Sequence, residues 1–495
     1  MPLHYLFIFT LLVTDISCRG FKVEKRQRQL FLSRNVVTDS GQFDGGVLVD
    51  ENGKIAGVYT RDSIIDLLSE DEGSLEVIDG GKWALMAGGV DSHVHVNEPG
   101  RTTWEGYVTA TRAAAAGGFT TIVDMPLNSI PPTTTIENFK IKTSAAKEEA
   151  YVDVAFWGGI VPGNEVELQN LVKAGVVGFK GFLIDSGVAE FPNVDTDDLD
   201  KIFTTLNGTN VVLAFHAEYP ISKAKDDGQC EGCDPHVYDT YLASRPPEME
   251  LEAVTLLAKY IPRYDVHVHV VHVSAADVVP ILEQAREQRI LGGSTRWRGG
   301  VTAETCHHYL TLSSEQIPPG HSEYKCSPPI RNVTNKLKLW EYIRDRRIDL
   351  IASDHSPTVA ERKTSDLMTA WGGISSVQFG LSLFWTEAKA RGYSLRTLSH
   401  YLSAGPANLV GLRSRKGALK PGFDADLVFF DPDASFVVTP DIIVYKNKIS
   451  PYMYRVLNGK VMQTYLRGKL IYTDGEVLEN PQGQLLINED VLKKL

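Results

Sequence analysis

Two histidines one residue apart, His93 and His95, stand in the run "GGVDSHVHVNEPG" (88–100), flanked by valines and followed by a Pro-Gly turn. In an extended chain alternate residues share a face, so both imidazoles can point the same way and grip one ion. Further residues of ligand or acid–base type occupy later apolar runs: Lys180 in "GFKGF", His216 in "AFHAE", His272 in "VHVSA" and Asp354 in "SDHSP". A lone strand histidine is more often a hydrogen-bonded core residue than a ligand. The stretch "VHVHVVHV" holds three, and His272 alternates out of phase with His267 and His269 and lies nearest the end of the run. The recurrence of such residues at successive run ends outweighs the single-residue reading and points to a metal centre. Imidazoles with a carboxylate suit zinc and related divalent ions. So many ligands fit two ions about 3.5–4 Å apart, sharing a hydroxide, better than one ion that must keep a position open. An ammonium at Lys180 would be repelled by two cations. As a free amine it can take up CO₂ to form a carbamate, a bidentate oxygen ligand, and its apolar flanks, "VVGFKGFLI", argue against a surface lysine.

These residues need elements to bring them together. Apolar runs such as "FTTIVDMP", "VDVAFWGGIV" and "NVVLAFHAE" alternate with helical stretches such as "TTWEGYVTATRAAAAGG" and "EMELEAVTLLAKYI". Strand–helix alternation implies a parallel sheet. Eight strands over residues 84–414 imply an α/β fold, a (β/α)₈ barrel of TIM type, whose chemistry sits at the C-terminal strand ends. Segments 30–83 and 415–476 read as short strands with tight turns, at Asn52-Gly53, Asn458-Gly459 and Arg467-Gly468. They are expected to pair into one small composite β-sandwich, with 477–495 as a tail. Residues 1–29 hold a short apolar run, "LFIFTLLV" (6–13), too short for a comfortable membrane span. They are expected to be a leader or a dispensable extension. Membrane association is expected only if that segment is retained, and the compartment, cytoplasmic or organellar, stays open. If the leader acts as a signal, Asn207 and Asn332 become possible glycosylation acceptors.

Composition narrows the partners. A formal net charge of −12 over 495 residues disfavours a nucleic-acid surface. Five cysteines in so long a chain make no disulfide framework. The Cys230-x-x-Cys233 pair is expected to be a plain loop with two thiols.

Several motifs together carry a resemblance: "DSHVHVNEPGRTTWEGY", "MPLNSIPPT", "FKGFLIDSGVAEFP", "AFHAE", "SRPPEMELEAV", "ETCHHYLTL", "KCSPPIR" and "SDHSP". From about Leu30 to about Glu476 the chain is similar to the cyclic amidohydrolases of the amidohydrolase superfamily, the group of dihydroorotases, dihydropyrimidinases and allantoinases. The resemblance implies a binuclear barrel with a composite sandwich. It implies one ion on His93, His95 and Asp354, a second on His216 and His272, and a carboxylated Lys180 between them, supplied by bicarbonate or CO₂. It also implies a homotetramer. Within the group, dihydroorotases carry an arginine two residues after the H-x-H, where this chain has Asn97; dihydropyrimidinases usually carry a tyrosine just beyond the lysine strand, where "FKGFLIDSG" has none. The motifs most resemble the allantoinase branch, which implies opening of the hydantoin ring of allantoin to allantoate. Asp354 would take a proton from the attacking water and return it to the leaving ring nitrogen. Arg101, Asn128 and Ser327 are expected to contact substrate, with a surface ion pair for Arg101 and a turn role for Asn128 as the plainer readings. Cys306, His307 and His308 are expected to line the pocket without acting as nucleophiles. The alternatives are a dihydropyrimidinase- or hydantoinase-like enzyme, or a non-catalytic scaffold on the same fold.

Overall fold

The computed structural model describes residues 27–70, 75–221 and 233–494. The apolar run at 6–13 and Cys230 lie outside them, but Cys233 lies within them and is disulfide-bonded rather than the free thiol expected. The chain opens with β1 (Arg28–Val37), β2 (Gln42–Val49), β3 (Ile55–Thr60), β4 (Leu75–Asp79) and β5 (Ala84–Ala87). The central strands are β6 (Gly89–Val94), β7 (Phe119–Asp124), β8 (Asp153–Phe156), β9 (Gly158–Gly159), β10 (Gly178–Phe182), β11 (Val212–His216), β12 (His267–Val270), β13 (Val301–Cys306) and β14 (Leu350–Ala352). Then come β15 (Leu427–Val437), β16 (Val456–Leu466), β17 (Lys469–Thr473) and β18 (Glu476–Val477).

The central strands form the α/β barrel expected from the alternating pattern. One parallel ladder runs β6-β7-β8 and another β9-β10-β11-β12-β13-β14. The chain bends at Trp157 between β8 and β9, and Val177 N donates to Phe156 O (2.9 Å) across that join. His95 N donates to His355 O (2.8 Å), closing the last strand on the first. Parallel strands buried on both faces read as continuous apolar runs, which is why "NVVLAFH" and "IDLIAS" show no alternation. Helices cover the outside with one apolar stripe each. The helix Thr196–Leu206 buries Leu199, Ile202, Phe203 and Leu206, and Asp195 caps it with a reciprocal capping box.

The terminal segments form one nine-stranded sheet, ordered β18-β17-β16-β15-β5-β1-β2-β3 with β4 on β1. β5 pairs with β1 and β15, so this sheet runs through Ala87, four residues into the stretch expected to begin the barrel. The switch falls at Gly88, whose added Cβ would meet Thr120 Oγ1 at 2.3 Å, so the chain crosses from sheet to barrel where only hydrogen fits. The last residues are no loose tail. Val154 N donates to Gln484 O (2.9 Å) and Leu486 N to Val154 O (2.8 Å), strapping residues 484–486 along β8. Asn332 and Asn207 both have engaged side chains: Asn332 caps the helix Val333–Arg344, and Asn207 Oδ1 accepts from Asp265 N. Among the described residues no helix is long and apolar enough to cross a membrane.

Candidate active site

The C-terminal strand ends gather the residues singled out by type. His93 is on β6 and His95 one residue past it; Lys180 is on β10, His216 closes β11, and His272 and Asp354 follow β12 and β14 by two residues. All six side chains are buried and line one cavity of about 440 Å³. Asn128 and Ser327 lie on the same wall.

His93, His95 and Asp354 form one tight group. Asp354 Oδ1 lies 3.1 Å from His93 Nε2 and 3.5 Å from His95 Nε2. His216 and His272 form a second, with His216 Nδ1 3.0 Å from His272 Nε2. His93 and His272 link the two groups, their ring centroids 5.5 Å apart. Lys180 Nζ lies 5.1 Å from the centre of the Phe182 ring, which stacks on His216 at 4.6 Å.

The protonation states suit cation binding. Burial lowers the pKa of His95 and of His216, and drives that of His272 well below the usual value, so the rings are held neutral. Burial also brings the Lys180 ammonium down to about 8, against the opposing charges of Asp354 and Glu304. Burial works to raise the Asp354 carboxyl, but His93 and His95 outweigh it and hold it at about 2. His93 Nε2 and His272 Nδ1 are buried without a hydrogen-bond partner. Unpaired buried nitrogens are costly, and a divalent cation would give His93 Nε2 the partner it lacks. Two nitrogens on one tetrahedral ion stand about 3.4 Å apart, close to the 3.0 Å between His216 and His272. The donor set therefore fits divalent cations.

Two carboxylates that the sequence reading passed over aim the histidines. Glu304 Oε1 accepts from His93 Nδ1 at 2.6 Å, and Glu218 Oε2 accepts from His216 Nε2 at 2.6 Å. Each bond fixes the tautomer and leaves the other ring nitrogen with its lone pair. The acid in "AFHAE" stands two residues from His216 and was legible as its partner. Glu304 is 211 positions from His93, and nothing local marks it.

The remaining residues singled out by type fall on and off the cavity wall. Arg101 is not on the cavity wall. Its guanidinium donates to Asn128 O (2.9 Å) and pairs with Glu190 (2.6 Å), so it supports the wall from behind. Asn97 also lies off the wall, at φ 66° with Nδ2 donating to Pro357 O (3.2 Å), a turn residue. Asn128 shares that left-handed φ of 66° but reaches the site, its Nδ2 3.3 Å from His95 Nδ1. Ser327 Oγ is 2.7 Å from Tyr241 Oη. Cys306, His307 and His308 are buried behind the cavity, not on it. Burial pushes the Cys306 thiol well above its usual range, which removes it as a nucleophile. A third close group of acids, Asp153, Asp424 and Asp426, is already paired with cations: Lys416 reaches all three, Arg467 reaches Asp153, and Lys54 and Arg415 reach Asp424.

A closed parallel barrel with imidazoles, a lysine and a carboxylate buried at its C-terminal mouth defines a class of barrel enzyme. The chain belongs to the amidohydrolase family, which it matches over residues 84–471, and it is a hydrolase. It is 44% identical over 459 residues to the allantoinase of Streptomyces avermitilis, covering 92% of this chain and 98% of that one. It is 52% identical over 349 residues to the mitochondrial allantoinase of Aquarana catesbeiana, covering 70% and 69%. Among solved structures, the L-hydantoinase (dihydropyrimidinase) from Arthrobacter aurescens superposes with a TM-score of 0.84 at 29% identity, covering 93% of this chain and 99% of that one.

Proposed function

We propose that the chain hydrolyses the cyclic amide of allantoin to allantoate, using two divalent cations, zinc in the first instance. His93, His95 and Asp354 would hold one, His216 and His272 the other, with Lys180 carboxylated between them. The unpartnered Nε2 of His93, aimed by Glu304 at Asp354, is the observation that carries the site. The relatives named allantoinase, at 42–52% identity over most of their length, carry the substrate. When bound, the cations would lower the pKa of water and polarise the scissile carbonyl.

The chain's own residues do the rest. Asp354 is a carboxylate at neutral pH, so it can accept a proton as water adds to the ring carbonyl. It returns that proton to the ring nitrogen as the C–N bond breaks, because an amide nitrogen is too basic to leave as an anion. One water is consumed, and a free carboxylate and a ureido nitrogen result. Asn128 and Ser327, on the wall, would orient the ring. The terminal sheet backs the barrel as a composite sandwich and takes no part in the chemistry. A homotetramer is the proposed assembly, on the strength of the motif resemblance. The mitochondrial relative supports an organellar location, reached through the segment ahead of residue 27.

A hydantoinase-like activity is the second reading, favoured by the close superposition on the Arthrobacter enzyme. A substrate panel decides. Zinc-loaded protein should turn over allantoin far faster than hydantoin, dihydrouracil or dihydroorotate. A preference for any of the other three would overturn the assignment, and loss of all turnover in fully loaded protein would leave only a scaffold.

A further inference from the structure

The motif "VHVHVVHV" leaves two histidines that the site does not use. In β12 alternate residues face the barrel interior, and His267 and His269 take that face. Barrel interiors are ordinarily packed with branched apolar side chains. Here a line of buried polar groups runs down from the site instead. His93 Nδ1 is 2.6 Å from Glu304 Oε1, and Glu304 Oε2 is 3.2 Å from His269 Nε2. His269 Nδ1 is 2.9 Å from Thr302 Oγ1, which is 2.8 Å from His267 Nε2. His269, Thr302 and Glu304 are all at most 1% exposed.

The donors in this line can be ordered. A carboxylate only accepts, so both His93 Nδ1 and His269 Nε2 carry protons and donate to Glu304. A neutral His269 ring then has a lone pair on Nδ1, which the Thr302 hydroxyl must satisfy as donor. The hydroxyl oxygen is left to accept from His267 Nε2. Every bond points the same way, toward Glu304, and each donor hydrogen is used once.

We infer that His269 is a positioning residue for the site: through Glu304 it fixes the ring and tautomer of His93, and Thr302 and His267 fix His269 in turn. The inference rests on the reading that His93 holds a cation. Without His269, one oxygen of Glu304 loses its imidazole donor inside the barrel. Only the long bonds from Ser92 Oγ to Oε2 and from His272 N to Oε1, both 3.4 Å, then hold the carboxylate beside His93, and His93 Nε2 loses its aim.

The test uses the full-length protein loaded with Zn²⁺, with wild type, His269→Leu and His269→Gln compared for zinc retention against a chelator, and for kcat and KM on allantoin. The leucine variant removes both bonds. The glutamine side chain can still donate to Glu304 and accept from Thr302. Partners of metal ligands typically change metal affinity or activity by about 10–100-fold. His269→Leu should lose zinc faster within that range and lose kcat with little change in KM, and His269→Gln should recover most of both. If His269→Leu fails to fold, Thr302→Val removes only the hydroxyl and should show a smaller loss of the same kind. Zinc retention and kcat within twofold of wild type in a folded His269→Leu or Thr302→Val would overturn the inference. So would equal losses in the leucine and glutamine variants, which would mean packing alone. Wild type that binds no zinc at all would instead overturn the reading of the site, and the inference with it.

Discussion

Carboxylation of Lys180 makes a quantitative prediction. The reaction needs the free amine, and burial brings the Lys180 pKa from an ordinary 10.5 to about 8. At pH 8.5 roughly three quarters of such a side chain is amine, against about 1% for an unshifted lysine. Between pH 6.5 and 8.5 the amine fraction should rise about 25-fold, and from 8.5 to 9.5 only about 1.3-fold; an unshifted lysine would rise about 100-fold and then a further ~9-fold. Metal-free protein should be incubated with ¹³C-labelled bicarbonate at matched dissolved CO₂ across this range, and the carbamate carbon followed by NMR. Zinc and allantoin then report the rate of activation. The rate should climb to about pH 9 and level off, and the labelled signal should vanish in Lys180→Arg. A rate that keeps climbing past pH 9.5, or a labelled carbamate that survives Lys180→Arg, would refute the reasoning.

Asp354→Asn should lower kcat by about 10²–10⁴-fold with the fold intact, as for other general acid–base groups; near-normal turnover in the zinc-loaded variant would exclude the proton role. Lys363 donates to the carbonyls of Ser322, Trp371 and Gly373, and so holds the loop that supplies one cavity wall. Lys363→Met leaves the carbonyls of Trp371 and Gly373 without this donor, while Ser322 O keeps Lys325 N, at about 1–3 kcal/mol for a buried unpaired group, and should raise KM for allantoin about tenfold with a smaller change in kcat. Burial raises the Asp424 carboxyl, but Lys416, Lys54 and Arg415 outweigh it and hold it below its ordinary 3.8. Its folded-state pKa is depressed, so its stabilisation is present above the ordinary value and is lost as pH falls below it. Asp424→Asn should lower the thermal midpoint at pH 7 and flatten the acid limb of stability, and an unchanged limb would show that another group dominates it.

How far the sequence reached follows from how the signals are written in it. His93 and His95 announced themselves by spacing, and Lys180 by its apolar flanks. The strand ends aligned because each parallel strand is a separate apolar run ended by a polar residue. What was illegible was pairing between distant strands. Glu304 sits in "TAETC" like any strand residue, and only the closed barrel sets it against His93. The same holds for β5, whose "ALMA" cannot say whether it joins the barrel or the terminal sheet. Residues 484–486 read as tail because their polar neighbours hide a three-residue strap. Arg101 stayed open for a related reason: an arginine beside a cavity motif points at substrate or at an acid, and only the fold supplies Glu190.

If the six site residues carry the proposed reaction, the substrate must be fixed by what surrounds them. Loops at the barrel mouth supply that wall, chiefly residues 184–187 and 368–373 with Asn128. The charges there are largely spoken for. Arg245 pairs with Glu218 at 2.5 Å, Lys325 donates to the carbonyls of Met368 and Ala370, and Arg101 faces away toward Glu190. The Asp185 carboxylate adds negative charge at the rim. An acidic ring such as dihydroorotate would compete with these partners for the same side-chain cations. A neutral ring with amide hydrogens and carbonyls, such as allantoin, asks only for hydrogen bonds, for which the side chains of Asn128 and Ser327 line the cavity. The committed side-chain cations of the wall are consistent with the proposed neutral cyclic amide, and the choice among neutral rings is expected to fall to the two loops.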